Sequence, residues 1–122
     1  MNNWHDARLE ADKLDKAQGI HSSGLDRLIK RLHDSEVYSQ IYKELEYYNP
    51  YTREHGEIDV LAQHKNGSWF IFEYKCNNAY KARSKAEKQL YRAEVYISCE
   101  EHAARIYKFY VSGRNNKVLM VK

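Results

Sequence analysis

Charged side chains interrupt two apolar segments near the middle of the chain. Asp59 lies in GEIDVLA (56–62), and Glu73 and Lys75 lie in FIFEYK (70–75). A carboxylate within an apolar segment needs compensation, because burial of an unpaired charge is costly. Two acids and a lysine at close range can hold a divalent cation and activate a water for attack on a phosphodiester. Whether these three residues can act together depends on how the two segments pair.

A short polar segment, Lys65-Asn66-Gly67, separates the two apolar segments and is the clearest hairpin signal in the chain. A two-residue turn at Asn66-Gly67 would place Asp59 and Glu73 on opposite faces of the sheet. A three-residue loop, with Gly67 in the left-handed conformation and a bulge, shifts every pair by one residue. We therefore predict the odd-length loop, in which Asp59 faces Glu73.

The same register sorts the remaining residues of the two strands by polarity. Glu57 falls opposite Lys75, and Leu61 falls opposite Ile71, on the face that carries the acids. The other face is expected to be entirely apolar, with Ile58, Val60 and Ala62 opposite Tyr74, Phe72 and Phe70.

The two facing acids predict a metal site. Carboxylates directly opposite one another repel unless a cation or a proton lies between them. Asp59 and Glu73, with the main-chain carbonyl of Tyr74 and waters, suit Mg²⁺ or Mn²⁺ and leave positions open for phosphate oxygens. Lys75 on the same face would orient or deprotonate the attacking water and stabilise charge that develops on the phosphate.

GEID, a hairpin, and then ExK after an apolar run resemble the PD-(D/E)XK nuclease superfamily. The similarity is greatest to Holliday-junction-resolvase-like and small archaeal or viral members, and it spans roughly residues 22 to 112. In that family the aspartate and glutamate bind the metal and the lysine serves the water. The resemblance therefore implies those roles for Asp59, Glu73 and Lys75, with Ile58 in place of the family's proline.

Two further positions follow from the resemblance. Many members carry an acid on the first helix near the metal, and Asp26 is the nearest candidate for this additional ligand, although Ser23-x-x-Asp26 is equally a capping box. Related nucleases often carry a glutamine on the helix after the third strand, where this chain has Gln89. The resemblance thus adds Gln89 to the catalytic residues and leaves Asp26 between two interpretations.

Hydrophobic periodicity predicts the elements that would position these residues. Residues 1–20 form a weakly amphipathic helical extension with Trp4, Ala7, Ala11 and Leu14 in its stripe, and SSGLDRLIKRL (22–32) forms a second helix. The expected order continues with three strands, a helix and two strands: Val37–Tyr47, ended by Asn49-Pro50, then Glu57–Gln63, Trp69–Cys76, Tyr80–Ser98, Arg105–Gly113 and Lys117–Lys122. The predicted fold class is therefore α/β, a restriction-endonuclease-like α-β-β-β-α-β core with a mixed central sheet flanked by helices, in one nuclease domain over residues 1–122.

Positive charge is concentrated immediately after the ExK motif. Between Lys75 and Arg92 there are six cations and one acid, Glu87, whereas the whole chain carries a net charge of +3. This asymmetry favours contact with a phosphate backbone. The predicted nucleic-acid-binding residues are Lys81, Arg83, Lys85, Lys88 and Arg92, and the expected partner is duplex or branched DNA, with RNA as an open alternative.

Composition limits the other possibilities. The 122 residues, 43% of them hydrophobic, suffice for one core, and two cysteines, Cys76 and Cys99, are too few for a disulfide framework. We expect reduced, buried thiols. No apolar stretch approaches a membrane span or a signal peptide, so we expect an intracellular, cytoplasmic protein, in the host cytoplasm if viral. Exposed apolar residues of the first helix and last strand favour a homodimer.

Three alternatives remain open. The charged residues of the two strands would also fit a cross-strand salt-bridge ladder on a solvated face, which does not explain why two acids face each other. A nuclease-fold protein that binds DNA or RNA without cutting it would share the basic helix. An interaction protein that oligomerises through tyrosine-rich surfaces would need neither catalysis nor nucleic-acid binding. The six histidines lack metal-ligand spacing, and only His55 adjoins the motif.

Overall fold

The computed structural model describes residues 23–76, 80–101, 104–113 and 117–122. The predicted helix over residues 1–20 lies outside these ranges. The described elements are a helix over residues 23–34 (α1), followed by β1 (Tyr38–Asn49), β2 (Glu54–His64), β3 (Trp69–Lys75), α2 (Tyr80–Glu100), β4 (Ile106–Ser112) and β5 (Lys117–Val121). The first strand ends at Asn49, as the Asn-Pro pair predicts.

The five strands form one mixed sheet in the order β1-β2-β3-β4-β5. Three of the four strand pairs are antiparallel, whereas β3 and β4 are parallel. Parallel neighbours need a crossover connection, which α2 supplies. The arrangement confirms the predicted α/β fold class, with the α-β-β-β-α-β order of elements and a mixed central sheet flanked by helices.

Each face of the sheet carries its own buried cluster. Leu25, Leu28 and Leu32 of α1 pack on one face, where their partners include Val60, Ala62, Phe72, Tyr74 and Val111. Leu90, Ala93 and Ile97 of α2 pack on the other face, against residues that include Leu61, Trp69 and Ile71. These faces are called the α1 face and the α2 face below. The buried residues of α2 recur at helical spacing and its basic residues are exposed. Neither α2 nor the described part of α1 has the length and apolar content that a membrane crossing requires.

The hairpin between β2 and β3 has the predicted odd-length loop. His64 N–H donates to Ser68 O at 2.8 Å, and Gly67 N–H donates to His64 O at 2.9 Å. Gly67 has φ 94°, a conformation that favours glycine. The resulting register runs from Gln63↔Trp69 to Val60↔Phe72, which confirms the pairing chosen from sequence.

The inward-facing side chains of β1 pack on one face of the sheet in the first half of the strand and on the other face in the second half. Ile41 packs on the α1 face, and Lys43 pairs with an acid of α1. Leu45 and Tyr47 pack instead on the α2 face, although simple alternation would keep all four residues on one side. Glu44 lies between the two halves with φ 51°, which breaks the alternation.

The partner strand β2 makes the same exchange at Asp59, which the flanking pairs Lys43↔Val60 and Leu45↔Ile58 place opposite Glu44. Val60 packs on the α1 face, but Ile58 packs on the α2 face. The expectation that Ile58 lies opposite Tyr74 on the apolar face is therefore wrong. The described β2–β3 pairing ends at Val60↔Phe72, so it does not include the predicted pair of Glu57 with Lys75.

Both cysteines are free, as expected from their number. Cys99 is partly buried within α2, but Cys76 is exposed immediately after the end of β3. The expectation of a buried thiol is therefore wrong for Cys76.

Candidate functional site

Asp59 and Glu73 meet between β2 and β3. Their exposed fractions are 6% and 3% respectively, so both carboxyl groups are buried. The two side chains are within hydrogen-bonding range of each other. The loop and register that were predicted from sequence therefore bring the two acids together, at the point where β2 exchanges faces.

A backbone hydrogen bond fixes the Asp59 carboxylate. Tyr74 N–H donates to Asp59 Oδ2 at 2.9 Å. On the other side of β3, Lys75 O accepts from Gly113 N–H at 2.7 Å, next to β4. Since successive peptide groups of a strand point to alternate sides, the Tyr74 carbonyl points toward β2, the strand that carries Asp59.

Glu73 does not behave as an ordinary surface acid. Its pKa is raised to about 9, mainly by burial and also by the charge of Asp59, a hydrogen bond with Asp59 and the charge of Glu57. The nearby Lys75 opposes this increase. Burial and the neighbouring Asp59 therefore favour the protonated form of Glu73 at neutral pH. A proton shared by the two acids would take the position that a divalent cation could occupy.

Lys75 lies two residues after Glu73 on β3. Its Nζ lies 3.9 Å from Glu73 Oε1, and 22% of its side chain is exposed, compared with 4% for Glu73. The Lys75 side chain is therefore close to Glu73 and still partly accessible to solvent or to a ligand. The structure brings Asp59, Glu73 and Lys75 together, as the motif predicts.

Strand β4 adds two residues that sequence analysis missed. The parallel register pairs Glu73 with Tyr110 and Lys75 with Ser112, which places all four side chains on the α2 face. Ser112 is 1% exposed, and its Oγ is buried without a hydrogen-bond partner among the described residues. The crossover rule constrains the handedness of the connection from β3 through α2 to β4, but it does not give the register that aligns Tyr110 and Ser112 with Glu73 and Lys75.

Gln89 lies on α2, the helix that covers the face of Glu73 and Lys75. Its Oε1 is buried and has no hydrogen-bond partner in the described part of the chain. One turn later, Arg92 pairs with Glu54 of β2 at 3.0 Å. Buried polar atoms are normally hydrogen-bonded, so both Gln89 and Ser112 have capacity for a water or a ligand.

Two other candidates lie away from the acids. Asp26 is on α1, against the opposite face, where its carboxylate accepts from Lys43 Nζ at 2.9 Å and 66% of its side chain is exposed. The structure therefore does not bring Asp26 to the site as a further ligand. His55 packs its ring against Tyr48, with ring centroids 4.7 Å apart. Within residues 23–76, 80–101, 104–113 and 117–122, no three side chains of His, Cys, Asp or Glu form a metal-binding group.

The predicted nucleic-acid-binding residues extend along the solvent side of α2. Arg83 lies over the ring of Tyr110 at 6.0 Å, which links the basic face to the β4 residues of the site. Arg92 pairs with Glu54, as noted above. All five cations are exposed: Lys81, Arg83, Lys85, Lys88 and Arg92.

Comparisons with known proteins give similarities to solved structures. No family model matches this chain. No curated protein matches it either. Among solved structures, it is similar to a repair endonuclease from Pyrococcus abyssi, with a TM-score of 0.49 and 20% identity. The similarity covers 75% of this chain but only 37% of that protein, so the chain spans little more than a third of its length.

Proposed function

We propose that this protein is a metal-dependent nuclease that hydrolyses phosphodiester bonds in DNA, with Asp59, Glu73 and Lys75 as its catalytic residues. The observation that carries the proposal is the convergence of two buried carboxyl groups with an ammonium group 3.9 Å from one of them. Burying two acids face to face costs stability. A cation that replaces the shared proton would stabilise both ionised carboxylates and would explain why the two acids are buried together.

The donor set fits a hard divalent ion. Asp59 and Glu73 offer carboxylate oxygens, and the Tyr74 carbonyl points from β3 toward β2, the strand of Asp59. Oxygen donors of this kind suit Mg²⁺ or Mn²⁺. Such an ion, when bound, polarises a phosphate oxygen and lowers the pKa of a coordinated water. With only two side-chain donors among the described residues, the remaining positions stay open for water and phosphate.

The protein's own side chains have separate tasks in this proposal. Asp59, fixed by the Tyr74 N–H, and Glu73 hold the cation in a buried position. Lys75 donates hydrogen bonds to the attacking water or to a phosphate oxygen, because its ammonium group is near Glu73 yet partly accessible. The exposed cations of α2 attract the phosphate backbone toward the site.

A nuclease-fold protein that binds nucleic acid without cutting it is the second candidate. The exposed basic face of α2 supports binding alone and does not require catalysis. The buried acidic pair favours the enzyme, because a binding protein gains nothing from a protonated glutamate held against an aspartate.

Cleavage assays separate these candidates. Wild-type protein is incubated with branched, nicked and linear DNA and with RNA, with Mg²⁺ or with EDTA. We expect cleavage only with the metal, abolition by Asp59→Asn and retention of binding by that variant. Asp26→Asn is the matched control, because Asp26 is exposed on the other face and should leave cleavage unchanged. Binding without cleavage on every substrate would overturn the enzyme in favour of the binding protein.

A further inference from the structure

A cavity of about 150 Å³ lies between the β1–β2 turn and α2. Its wall consists of Tyr47, Asn49, Thr52, Glu54, Tyr91, Arg92 and Val95, and the acid Glu54 is paired with Arg92. The volume is below the roughly 300–1,000 Å³ of pockets that hold drug-sized molecules. A single planar ring system with polar edges suits this size and this mixture of aromatic and polar groups.

The turn that forms one side of the cavity has a defined structure. Asn49 is 2% exposed, and its Oδ1 accepts from Tyr51 N–H at 3.0 Å and from Thr52 N–H at 3.4 Å. Arg53 N–H also donates to Asn49 O at 2.8 Å. Across the cavity, the ion pair of Arg92 with a β2 carboxylate connects α2 to the sheet. The cavity is therefore held open by specific contacts.

Tyr47 lines this cavity and packs on the α2 face of the sheet. Its ring stacks on Tyr96 of α2 with centroids 4.4 Å apart, and it passes so close to Gly56 that a side chain there would overlap it. Burial is the largest cause of its raised pKa, and the charges of Glu54 and Glu73 add to the increase. Tyr47 and Glu73 thus share the α2 face, and the cavity opens on the same face of the sheet as the proposed cleavage site.

The outer wall presents an aromatic ring and a cation to solvent. Tyr91 is 62% exposed, and Arg92 follows it on the helix. Lys88, one turn earlier, lies with both in a surface depression that Ser84 and Glu87 also line, so its two cations outnumber its one acid. Exposed aromatic rings beside cations are the features with which proteins bind unstacked bases and their phosphates.

We propose that this cavity receives an unpaired base of single-stranded DNA next to the bond that is cut, with Tyr91 as its stacking surface. The proposal rests on the nuclease function proposed above and names its substrate class. A base within an intact duplex is stacked and paired, so it reaches a cavity only after extrusion, which costs energy. DNA with unpaired nucleotides beside the cleavage site is therefore the preferred ligand.

Fluorescence anisotropy in EDTA tests this preference independently of cleavage. The probes are a labelled single-stranded oligonucleotide, the duplex of the same sequence, and the corresponding single-stranded RNA. We expect the single-stranded DNA to bind about tenfold more tightly than the duplex, and Tyr91→Ala to remove most of that difference while changing duplex affinity less than about twofold. Tyr42→Ala is the control, because Tyr42 is 40% exposed and does not line the cavity.

A second variant fills the cavity without removing the exposed ring. Val95 also lines it, and Val95→Trp should weaken single-stranded binding while leaving duplex binding intact. Equal affinity for single strand and duplex, tighter binding of RNA than of DNA, or an equal loss in Tyr91→Ala and Tyr42→Ala would overturn the proposal. Failure of this proposal can be distinguished from failure of the proposed nuclease function. Magnesium-dependent cleavage without a preference for single strands would contradict only the base-binding cavity. A preference for single strands without cleavage would contradict only the nuclease.

Discussion

Glu73 Oε1 lies 3.9 Å from Lys75 Nζ, while the Glu73 side chain also faces Asp59. One glutamate therefore has an acid and a base as neighbours within the same buried space. The acid favours the protonated form of Glu73 and the lysine favours the ionised form, and burial adds to the effect of the acid. This balance makes the site sensitive to pH and to cations.

The stability of the metal-free protein should fall as the pH rises. Glu73 has a folded-state pKa raised from 4.5 to about 9, so the unfolded chain loses this proton first. The stabilisation is fully present below about pH 4.5 and is lost as the pH rises through about 9. Glu73→Gln, which resembles the protonated acid, should match wild type near pH 5 and exceed it near pH 9. Urea unfolding in EDTA at several pH values measures this, and parallel curves for the two proteins would argue against the protonated glutamate.

Ser112→Ala should leave the stability of the protein nearly unchanged. The buried Oγ has no hydrogen-bond partner among the described residues, so its removal eliminates no protein contact and one unsatisfied group. We expect the free energy of unfolding to change by less than about 1 kcal/mol. Because Ser112 neighbours Lys75, the rate of cleavage should fall in the same variant. A large loss of stability would show that the hydroxyl has a structural partner.

The ion pair of Lys108 with Glu94 should matter more than an exposed pair. Lys108 Nζ lies 3.1 Å from Glu94 Oε1, and only 10% of the Lys108 side chain is exposed. Glu94→Ala leaves this cation without that partner and should lower the free energy of unfolding by about 1–3 kcal/mol. The comparison variant is Asp34→Ala, whose pair with Lys30 is solvent-exposed and should give no measurable change. Equal effects in thermal denaturation would contradict the role of burial.

Gly24→Ala should disturb the site from the opposite face of the sheet. A methyl group at Gly24 would overlap the ring of Tyr74, whose N–H holds Asp59. We expect a loss of about 1–3 kcal/mol in stability together with slower cleavage. Gly67→Ala is the comparison, because its φ of 94° is unfavourable for alanine but nothing lies within 4 Å of the added atom. It should cost about 1 kcal/mol and leave cleavage by the folded protein unchanged, whereas slower cleavage there would weaken the proposed link through Tyr74.

Local sequence signals were sufficient to predict the hairpin and the convergence of its acids. Loop chemistry at Gly67 and the requirement to keep apolar residues together selected one register between two, and Asp59 and Glu73 follow from that register. The basic face of α2 was equally visible, because it depends only on charge and helical spacing.

The remaining features depend on the packing of distant segments. Glu44 adopts its left-handed conformation within a strand for which alternation was assumed, and the resulting exchange of faces moves Ile58 to the α2 face. Asp26 was selected by resemblance, but α1 packs on the other face. Ser112 and Tyr110 became visible only once β4 was placed parallel to β3.

The proposed nuclease requires a divalent cation between Asp59 and Glu73. Crystals soaked in MnCl₂ test this through the anomalous scattering of manganese. We expect a peak between the two carboxylates, roughly 2 Å from an oxygen of each, and its loss in Asp59→Asn. A map without a peak between these residues, or with manganese bound only elsewhere, would contradict the metal site and the nuclease built on it.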